Sequence, residues 1–171
     1  MNPTPKIRLA IQQDIPAMLD IYNTEVKHSN ATFDLQEKTI DEWTEWFMHH
    51  NDKTHPIFIA EVEGHVAGYA SLSKYREKEA YKTTVELSIY IDKQYRGRGV
   101  ANALMKHIIQ YAKSTEGIHC IISVITAGNA VSTHLHEKHG FTYAGTLYEV
   151  GIKFGEYCGI DNYELILGKT K

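Results

Sequence analysis

The sequence lacks the features that mark secreted, membrane-spanning and disulfide-stabilised proteins. It holds only two cysteines, Cys120 and Cys158, which are too few for a disulfide framework. No apolar run approaches the roughly 20 residues that a membrane-spanning helix requires, and the first residues lack the basic-then-apolar order of a signal peptide. These absences predict a reduced, cytoplasmic protein with no membrane partner.

An excess of positive charge is also missing. The chain carries 18 lysines and arginines against 21 aspartates and glutamates, a net charge of −3, so no general attraction to nucleic acid is expected. Internal repeats, low-complexity tracts and linkers rich in proline, glycine or serine are absent as well. The length of 171 residues therefore predicts a single domain, 1–171, with one full core.

Hydrophobic periodicity predicts strands and helices in the order β, α, α, β, β, β, α, β, α, β, β. Hairpins and crossover helices both occur in this order, which indicates an α/β fold with a mixed sheet. Strands are expected at 7–11, 84–91 and 119–125, and pairs of strands at 56–72 and 140–167. Helices are expected after Asp14, after Thr39, at 100–113 and at 129–138.

Local signals refine the ends of these elements. Asp14 is predicted to cap the first helix. Thr39 and Glu42 have the spacing of a capping box at the start of the second helix. The dipeptide Glu63-Gly64 is predicted to form the turn between the two strands of 56–72.

A cluster of arginine and glycine, RGRGVA at 96–101, stands between the strand at 84–91 and the helix that follows. Backbone N–H groups at a helix N-terminus lack partners, and glycine before them removes the Cβ that would keep a ligand away. The stretch therefore predicts an anion or pyrophosphate cradle, with a plain strand-to-helix turn as the alternative. The spacing matches neither the P-loop nor the dinucleotide fingerprint. An RNA contact is not expected from so short a stretch between structured elements.

Arg96, Gly99 and Ala101 fit the R/Q-x-x-G-x-G/A coenzyme A loop, and the chain from about residue 6 to 167 resembles the GCN5-related N-acetyltransferase (GNAT) family. The stretches TFDLQEKTIDEW, AYKTTVELSIYI, LHEKHGFTYAGTL and GIKFGEY resemble its phosphinothricin N-acetyltransferase branch. The resemblance implies a GNAT-type mixed, mostly antiparallel sheet of about seven strands flanked by about four helices. It also implies acetyl-CoA as co-substrate. Direct transfer to an amine is expected, because neither cysteine sits at a motif position where an acyl-enzyme would form.

The same resemblance assigns the coenzyme A contacts. The pyrophosphate is expected on the backbone amides of the loop, which are those of Gly97, Arg98, Gly99, Val100, Ala101 and Asn102. The pantetheine arm is expected to pair with the strand backbone of Ile89, Tyr90 and Ile91. Asn129 is expected to bind the arm from the neighbouring helix, with a plain N-cap as its alternative role.

Glu86 is the candidate general base. Strand alternation places it on the same face as Ser88 and Tyr90, opposite the apolar residues of the strand, so its carboxylate faces either solvent or a cleft. The match to the family's glutamate favours the cleft. An ordinary glutamate, with a pKa of about 4.3, is a weak base toward an ammonium ion. Burial that raises this pKa, or a relaying water, would make the role feasible.

His136 is the second catalytic candidate. On the last predicted helix it shares a face with Asn129 and Ser132, away from Val131 and Leu135, which are expected on the apolar side. Many relatives carry a tyrosine here as the acid, and the roles of acid, base and orienting group all stay open for histidine. The alternative is a surface histidine favoured by the helix C-terminus. The neighbouring histidines do not share this face, so no metal site is predicted.

For the acceptor, the resemblance points to Phe33, Lys78 and Tyr81, with Lys78 as a partner for an acidic group. Thr83 and the stretch CGIDNY differ from the branch, so phosphinothricin itself is not singled out. The expected function is acetyl-CoA-dependent acetylation of the α-amine of a small amino acid or analogue, such as phosphinothricin, methionine sulfoximine or methionine sulfone. The alternatives are an N-terminal acetyltransferase of peptides or proteins and a non-catalytic acyl-CoA sensor. The branch also implies a homodimer.

Overall fold

The computed structural model describes residues 4–168, and its elements follow the predicted order. The strands are β1 Lys6–Leu9, β2 Ile57–Val62, β3 His65–Lys74, β4 Thr84–Ile91, β5 Cys120–Thr126, β6 Thr142–Lys153 and β7 Glu156–Ile166. The helices are α1 Ile15–His28, α2 Ile40–Met48, α3 Val100–Ser114 and α4 Ala130–Lys138. The predicted domain 1–171 also includes residues 1–3 and 169–171, which lie outside the described residues.

The strands form one seven-stranded sheet in the order β1-β2-β3-β4-β5-β7-β6. Neighbouring strands are antiparallel, except β4 and β5, which are parallel. This pair is parallel because α3 crosses from the end of β4 to the start of β5. The predicted α/β fold, with a mostly antiparallel sheet of seven strands and four helices, is confirmed.

Apolar side chains pack on both faces of the sheet. The stripe predicted for α3 is buried against one face, where Leu104, Met105 and Ile108 have no exposed surface. Helices α1 and α2 pack on the other face through Met18, Trp43 and Phe47. Strand β4 separates these two cores, because its alternate side chains point to opposite faces.

Two of the predicted local signals are confirmed. Thr39 Oγ1 accepts a hydrogen bond from the backbone N–H of Glu42 at 3.2 Å, and the Glu42 carboxylate accepts from the N–H of Thr39 at 2.7 Å. Glu63 and Gly64 have φ of 51° and 80° in the turn between β2 and β3. Two consecutive residues with positive φ are typical of the tight turn whose twist matches its flanking strands.

The predicted helix cap at Asp14 is wrong. Its carboxylate does not bind the first amides of α1; it accepts hydrogen bonds from the Arg8 guanidinium at 2.7 and 2.8 Å and from the N–H of Ile11 at 2.8 Å. A two-pronged bond from a charged donor is stronger than a neutral cap. Burial acts to raise the pKa of Asp14, but the bonds from Arg8 and Ile11 outweigh it and hold the pKa below its ordinary value.

Candidate active site

The site lies where β4 and β5 separate. The two strands pair over only three positions, the last of which joins Glu86 to Ile122. Both strands continue beyond this point, to Ile91 and Thr126. The facing edges of these continuations carry backbone N–H and C=O groups that are free to pair with an added chain. A cavity of about 610 Å³ fills the opening and is here named the larger cavity.

The larger cavity collects nearly all the predicted coenzyme A residues. Its walls contain Ile89, Tyr90, Ile91, Gly97, Gly99, Val100, Ala101, Asn102 and Asn129. Arg98 is not among the lining residues, and its guanidinium lies 5.5 Å from the centre of the Tyr95 ring. Strand β4, the start of α3 and the start of α4 are therefore brought together around one space.

Helix α3 begins with backbone amides that point out of its first turn. Gly99 is its N-cap, with the left-handed φ of 82°, and within residues 4–168 no side chain caps this end. Gly97 also has a positive φ, 72°, and a Cβ added at either glycine would meet no atom within 4 Å. The first turn of a helix leaves its N–H groups without intrahelical partners and with a partial positive charge. This end of α3 is thus open for an anion.

An ion pair between the exposed Arg96 and the buried Glu25 fixes the loop in front of α3. The Arg96 guanidinium donates to the carboxylate of Glu25 on α1, which is only 7% exposed. Its Nε also donates to the carbonyl of Ile91 at 3.2 Å. The positive charge of Arg96 is thereby matched by a carboxylate of the protein, and its main role is to hold the loop against α1 and β4.

Glu86 lies half-buried beside the opening. The predicted alternation is confirmed, because Ser88 and Tyr90 share its face while the intervening residues pack toward α3. Burial raises the pKa of the Glu86 carboxyl above its ordinary value. Ser73 on β3 is its direct cross-strand partner. The Ser73 hydroxyl donates to Nε2 of His50 at 2.8 Å, since the Nδ1–H of that ring donates to a backbone carbonyl.

His136 is buried, with 2% exposure, so its interpretation as a surface histidine is wrong. Its ring packs edge-on against Phe141 at 5.1 Å, and it lines the larger cavity. The expectation that Val131 packs on the core is also wrong. That side chain is 84% exposed and lines the cavity, because α4 turns its His136 side toward the aromatic rings beneath it.

The protonation of His136 follows from its contacts. Nδ1 lies 2.7 Å from the carbonyl of Ser132, which can only accept, so Nδ1 carries the hydrogen. Burial lowers the pKa of the ring below 6.5, which makes it neutral at pH 7. In this tautomer Nε2 has a free lone pair. At the start of the same helix, the side-chain oxygen of Asn129 accepts a hydrogen bond from the backbone N–H of Ser132 at 3.1 Å, which confirms its N-cap role. Asn129 also lines the larger cavity.

A second cavity, of about 330 Å³, lies on the face of the sheet that α1 and α2 cover and is here named the smaller cavity. Ser88 and Tyr90 line both cavities. The other walls come from α1, α2, the loop between them and β3, through Tyr22, Asp34, Lys38, Glu42, Trp43, Trp46, Tyr69, Ser71 and Ser73. Sequence patterns identified none of these additional residues as part of a site.

None of the three predicted acceptor residues lines the smaller cavity. Phe33 packs on Gly151, where an added Cβ would come within 2.7 Å of the ring. Lys78 is exposed. Tyr81 is half-buried and packs edge-on against Tyr75 at 5.6 Å. Of the three, only Phe33 has a chain neighbour, Asp34, in the cavity wall.

The loop between α1 and α2, residues 29–38, contributes Ala31 to the larger cavity and Asp34 and Lys38 to the smaller one, and it is anchored from the β6–β7 hairpin. Lys153, which is 4% exposed, donates from Nζ to the carbonyl of Thr32 at 2.7 Å. Burial lowers the pKa of this lysine. From the other side, the Tyr22 hydroxyl donates to Asp34 at 2.6 Å. The wall of the site is therefore tied to distant elements.

The structure offers no candidate metal centre within residues 4–168, where no three His, Cys, Asp or Glu side chains are grouped to hold an ion. Among those same residues, no helix is both long and apolar enough to cross a membrane. The chemistry of the site therefore has to be argued from the two cavities and from Glu86 and His136.

Comparison with known proteins identifies the family to which the chain belongs. Residues 15–141 match the acetyltransferase (GNAT) family. The chain belongs to the GNAT family. Like other members it is an N-acetyltransferase. Across 166 residues it is 33% identical to an L-methionine sulfoximine/L-methionine sulfone acetyltransferase of Pseudomonas paraeruginosa, and the match covers 96% of each chain.

Solved structures agree with this assignment. A phosphinothricin acetyltransferase of Sinorhizobium meliloti in complex with acetyl-CoA is 29% identical, with a TM-score of 0.92 over 96% of this chain and 89% of that one. A ribosomal-protein-alanine N-acetyltransferase of Brucella melitensis is 36% identical, with a TM-score of 0.91 over 95% of this chain and 99% of that one. The resemblance to the phosphinothricin branch is confirmed by these relatives.

Proposed function

We propose that this GNAT protein transfers the acetyl group of acetyl-CoA to the α-amine of a small amino acid or amino-acid analogue. The observation that carries the proposal is the separation of β4 from β5 at Glu86. The walls of the opening include a free strand edge and an open helix N-terminus. Glu86, a carboxyl of raised pKa, lies at the last paired position beside it and is not itself among the lining residues. The similarity to acetyltransferases of methionine sulfoximine, methionine sulfone and phosphinothricin supports the substrate class.

The larger cavity fits acetyl-CoA, which supplies an acetyl group activated as a thioester. The amides at the start of α3 suit a pyrophosphate, because they combine free N–H groups with the positive end of the helix dipole. The free edge of Ile89, Tyr90 and Ile91 suits the amides of the pantetheine arm, which can pair as an added strand does.

Glu86 and His136 are the residues that act on protons during the acetyl transfer. Glu86 accepts a proton from the acceptor amine as its nitrogen bonds to the acetyl carbon and the carbon–sulfur bond breaks. Its raised pKa makes it a better base than an ordinary glutamate. His136 is neutral and offers a lone pair at Nε2, so it orients or accepts and does not donate from an imidazolium. Coenzyme A leaves as the thiol, its proton drawn from solvent.

A panel of amines tests this function. Release of coenzyme A from acetyl-CoA is followed with a thiol reagent, using methionine sulfone, methionine sulfoximine, phosphinothricin, the common amino acids and short peptides. Turnover with free amino acids or their analogues is expected. Binding of acetyl-CoA without turnover of any amine would contradict the proposal and favour an acyl-CoA sensor.

Acetylation of a protein N-terminal amine is the second candidate. The similarity to the ribosomal-protein-alanine N-acetyltransferase of Brucella melitensis favours it. The panel separates the two functions, because turnover of peptides alone would change the acceptor class and leave the acetyltransferase chemistry in place.

We also propose that residues 1–171 act as one domain in a cytoplasmic homodimer. Strand β6 is an edge of the sheet, and edges are usually protected by charge. The β6–β7 hairpin instead exposes large apolar side chains, among them Leu147, Val150, Ile152, Phe154 and Tyr157, a surface suited to a second copy. Both cysteines are free thiols, as expected in a reducing compartment. Light scattering should give a dimer mass, and Ile152→Lys should reduce it to that of a monomer.

A further inference from the structure

We propose that Glu25 is a positioning residue that holds two loops of the site at once, the coenzyme A loop at residues 96–99 and the loop at residues 29–38. The inference rests on the proposed function, because these loops line the two cavities assigned to that reaction. It gives a role to a buried carboxylate that no sequence motif points to and that the proton chemistry of the site does not use.

Each carboxylate oxygen of Glu25 has a partner in a different loop. Glu25 lies in the last turn of α1 and is only 7% exposed. Its Oε1 accepts a hydrogen bond from the Arg96 guanidinium, and its Oε2 accepts one from the Ser29 hydroxyl at 2.6 Å. A buried carboxylate is costly unless it is paired and hydrogen-bonded. One side chain therefore keeps both loops in place.

On the side of the coenzyme A loop, Arg96 joins three segments of the chain. Besides its bond to Glu25 on α1, its Nε donates to the carbonyl of Ile91, the last residue of β4, at 3.2 Å. The left-handed backbones of Gly97 and Gly99 follow directly and lead into α3. Arg96 cannot leave Glu25 for a phosphate without stranding a buried carboxylate. Its function is therefore to aim the amides at the start of α3, and an anion falls to those amides.

On the other side, Ser29 carries the link into the loop at residues 29–38. Its hydroxyl donates to Glu25 and accepts a hydrogen bond from the backbone N–H of Ala31 at 3.1 Å. Ala31 lines the larger cavity, and Asp34, three residues further along, lines the smaller one. The first turn of this loop therefore takes its position from the Glu25 carboxylate.

Steady-state kinetics of one-sided variants separates the two halves of the link. Arg96→Met keeps the apolar stem and loses the donors, so the KM for acetyl-CoA should rise about three- to tenfold, the effect of one hydrogen bond, with the KM for the acceptor unchanged. Ser29→Ala should raise the KM for the acceptor by a similar factor and leave that for acetyl-CoA unchanged.

Variants of Glu25 itself test whether one residue serves both loops. Glu25→Ala should raise both KM values. Glu25→Gln should recover most of the loss, because its amide keeps an oxygen for Arg96 and offers an N–H to the Ser29 hydroxyl. A role confined to overall stability would change the amount of folded enzyme and neither KM.

Asp14→Ala is the matched control. Asp14 immediately precedes α1, is 5% exposed and accepts from an arginine, Arg8, at 2.7 and 2.8 Å, but it is not among the residues that line either cavity. Its loss should lower the unfolding free energy at least as much as Glu25→Ala does and leave both KM values unchanged. The proposal is overturned if Glu25→Ala keeps both KM values within about twofold of the wild type, or if Asp14→Ala raises them equally.

A variant that fails to fold does not remove the test. If Glu25→Ala is not obtained folded, Arg96→Met and Ser29→Ala decide, since each has to raise one KM and spare the other. Any other pattern in this pair overturns the proposal.

Failure of the proposed function would be recognised separately, because the wild type would then release coenzyme A with none of the amines. Calorimetric titration of coenzyme A and hydrogen–deuterium exchange of the free protein then replace the KM values. The dissociation constant should rise in Glu25→Ala and Arg96→Met but not in Ser29→Ala. Amide exchange at residues 29–31 should become faster in Glu25→Ala and Ser29→Ala but not in Asp14→Ala. Unchanged binding and exchange in Glu25→Ala, or a wild type that does not bind coenzyme A, would contradict the proposal.

Discussion

The parallel pairing of β4 and β5 ends at Glu86 and Ile122, so the Glu86 carboxyl lies where the sheet opens. One break in the ladder thus has two consequences. It frees the strand edge that faces the larger cavity, and it leaves the carboxyl half-buried with a raised pKa. The smaller cavity begins at the neighbouring Ser88. Donor and acceptor are therefore expected to meet at this position from the two cavities.

Gly99 should be required for acetyl-CoA binding. Gly99→Ala forces a side chain into a left-handed conformation and places a methyl group where the anion approaches. We expect the KM for acetyl-CoA to rise at least tenfold. Gly64→Ala is the matched control, since Gly64 has a similar φ of 80° and equally free surroundings in the β2–β3 turn. It should lower the unfolding free energy comparably and leave both KM values unchanged; the same KM increase in both variants would contradict the assignment.

Lys153 should stabilise the fold and the loop at residues 29–38. Lys153→Met leaves the carbonyl of Thr32 without its buried donor, which should cost about 1–3 kcal/mol of unfolding free energy and raise the KM for the acceptor. Lys27→Met is the control. Lys27 pairs with Glu37 of the same loop at 3.1 Å, but both side chains are about half exposed, so its loss should cost less than about 1 kcal/mol. Chemical denaturation of both variants measures the difference, and equal losses would contradict the prediction.

Stability should fall in mild acid because of two histidines, the buried His136 and the half-buried His50. Burial lowers the pKa of His50 and of His136 below 6.5 in the folded protein. Below that pH the unfolded chain binds protons that the folded rings resist, so unfolding free energy decreases as the pH falls, by at most about 1.4 kcal/mol per pH unit for each ring. Denaturation from pH 8 to pH 5 tests this, and His50→Gln should reduce the slope. A slope that is the same in the variant would rule His50 out as a source.

Short-range patterns in the sequence were enough to predict the order of the elements. The Thr39–Glu42 capping box and the Glu63–Gly64 turn involve residues at most three positions apart, and both are confirmed. Asp14 also has a local cap pattern, but it pairs with Arg8, a stronger partner that only the folded chain brings within reach. A local pattern therefore predicts structure reliably when no charged group competes for it.

The parts of the site that sequence patterns missed depend on long-range packing. Glu25 and Arg96 are 71 residues apart, and no spacing rule connects them. Tyr69 and Ser71 have the pattern of an ordinary strand, and the absence of partners for their hydroxyls is visible only when every neighbouring atom is known. Val131 is exposed and His136 is buried, the reverse of what was expected, because aromatic rings from other segments pack against the His136 side of α4.

The pH dependence of Glu86→Gln tests the central claim most directly. In the wild type, kcat/KM for the acceptor should fall at low pH as the Glu86 carboxylate is protonated, with a midpoint above the pKa of an ordinary glutamate. Glutamine keeps the shape and cannot accept the proton, so kcat/KM at pH 8 should drop by about 10²–10⁴-fold, while the KM for acetyl-CoA stays unchanged. A Glu86→Gln variant that keeps full activity at pH 8 would contradict the account.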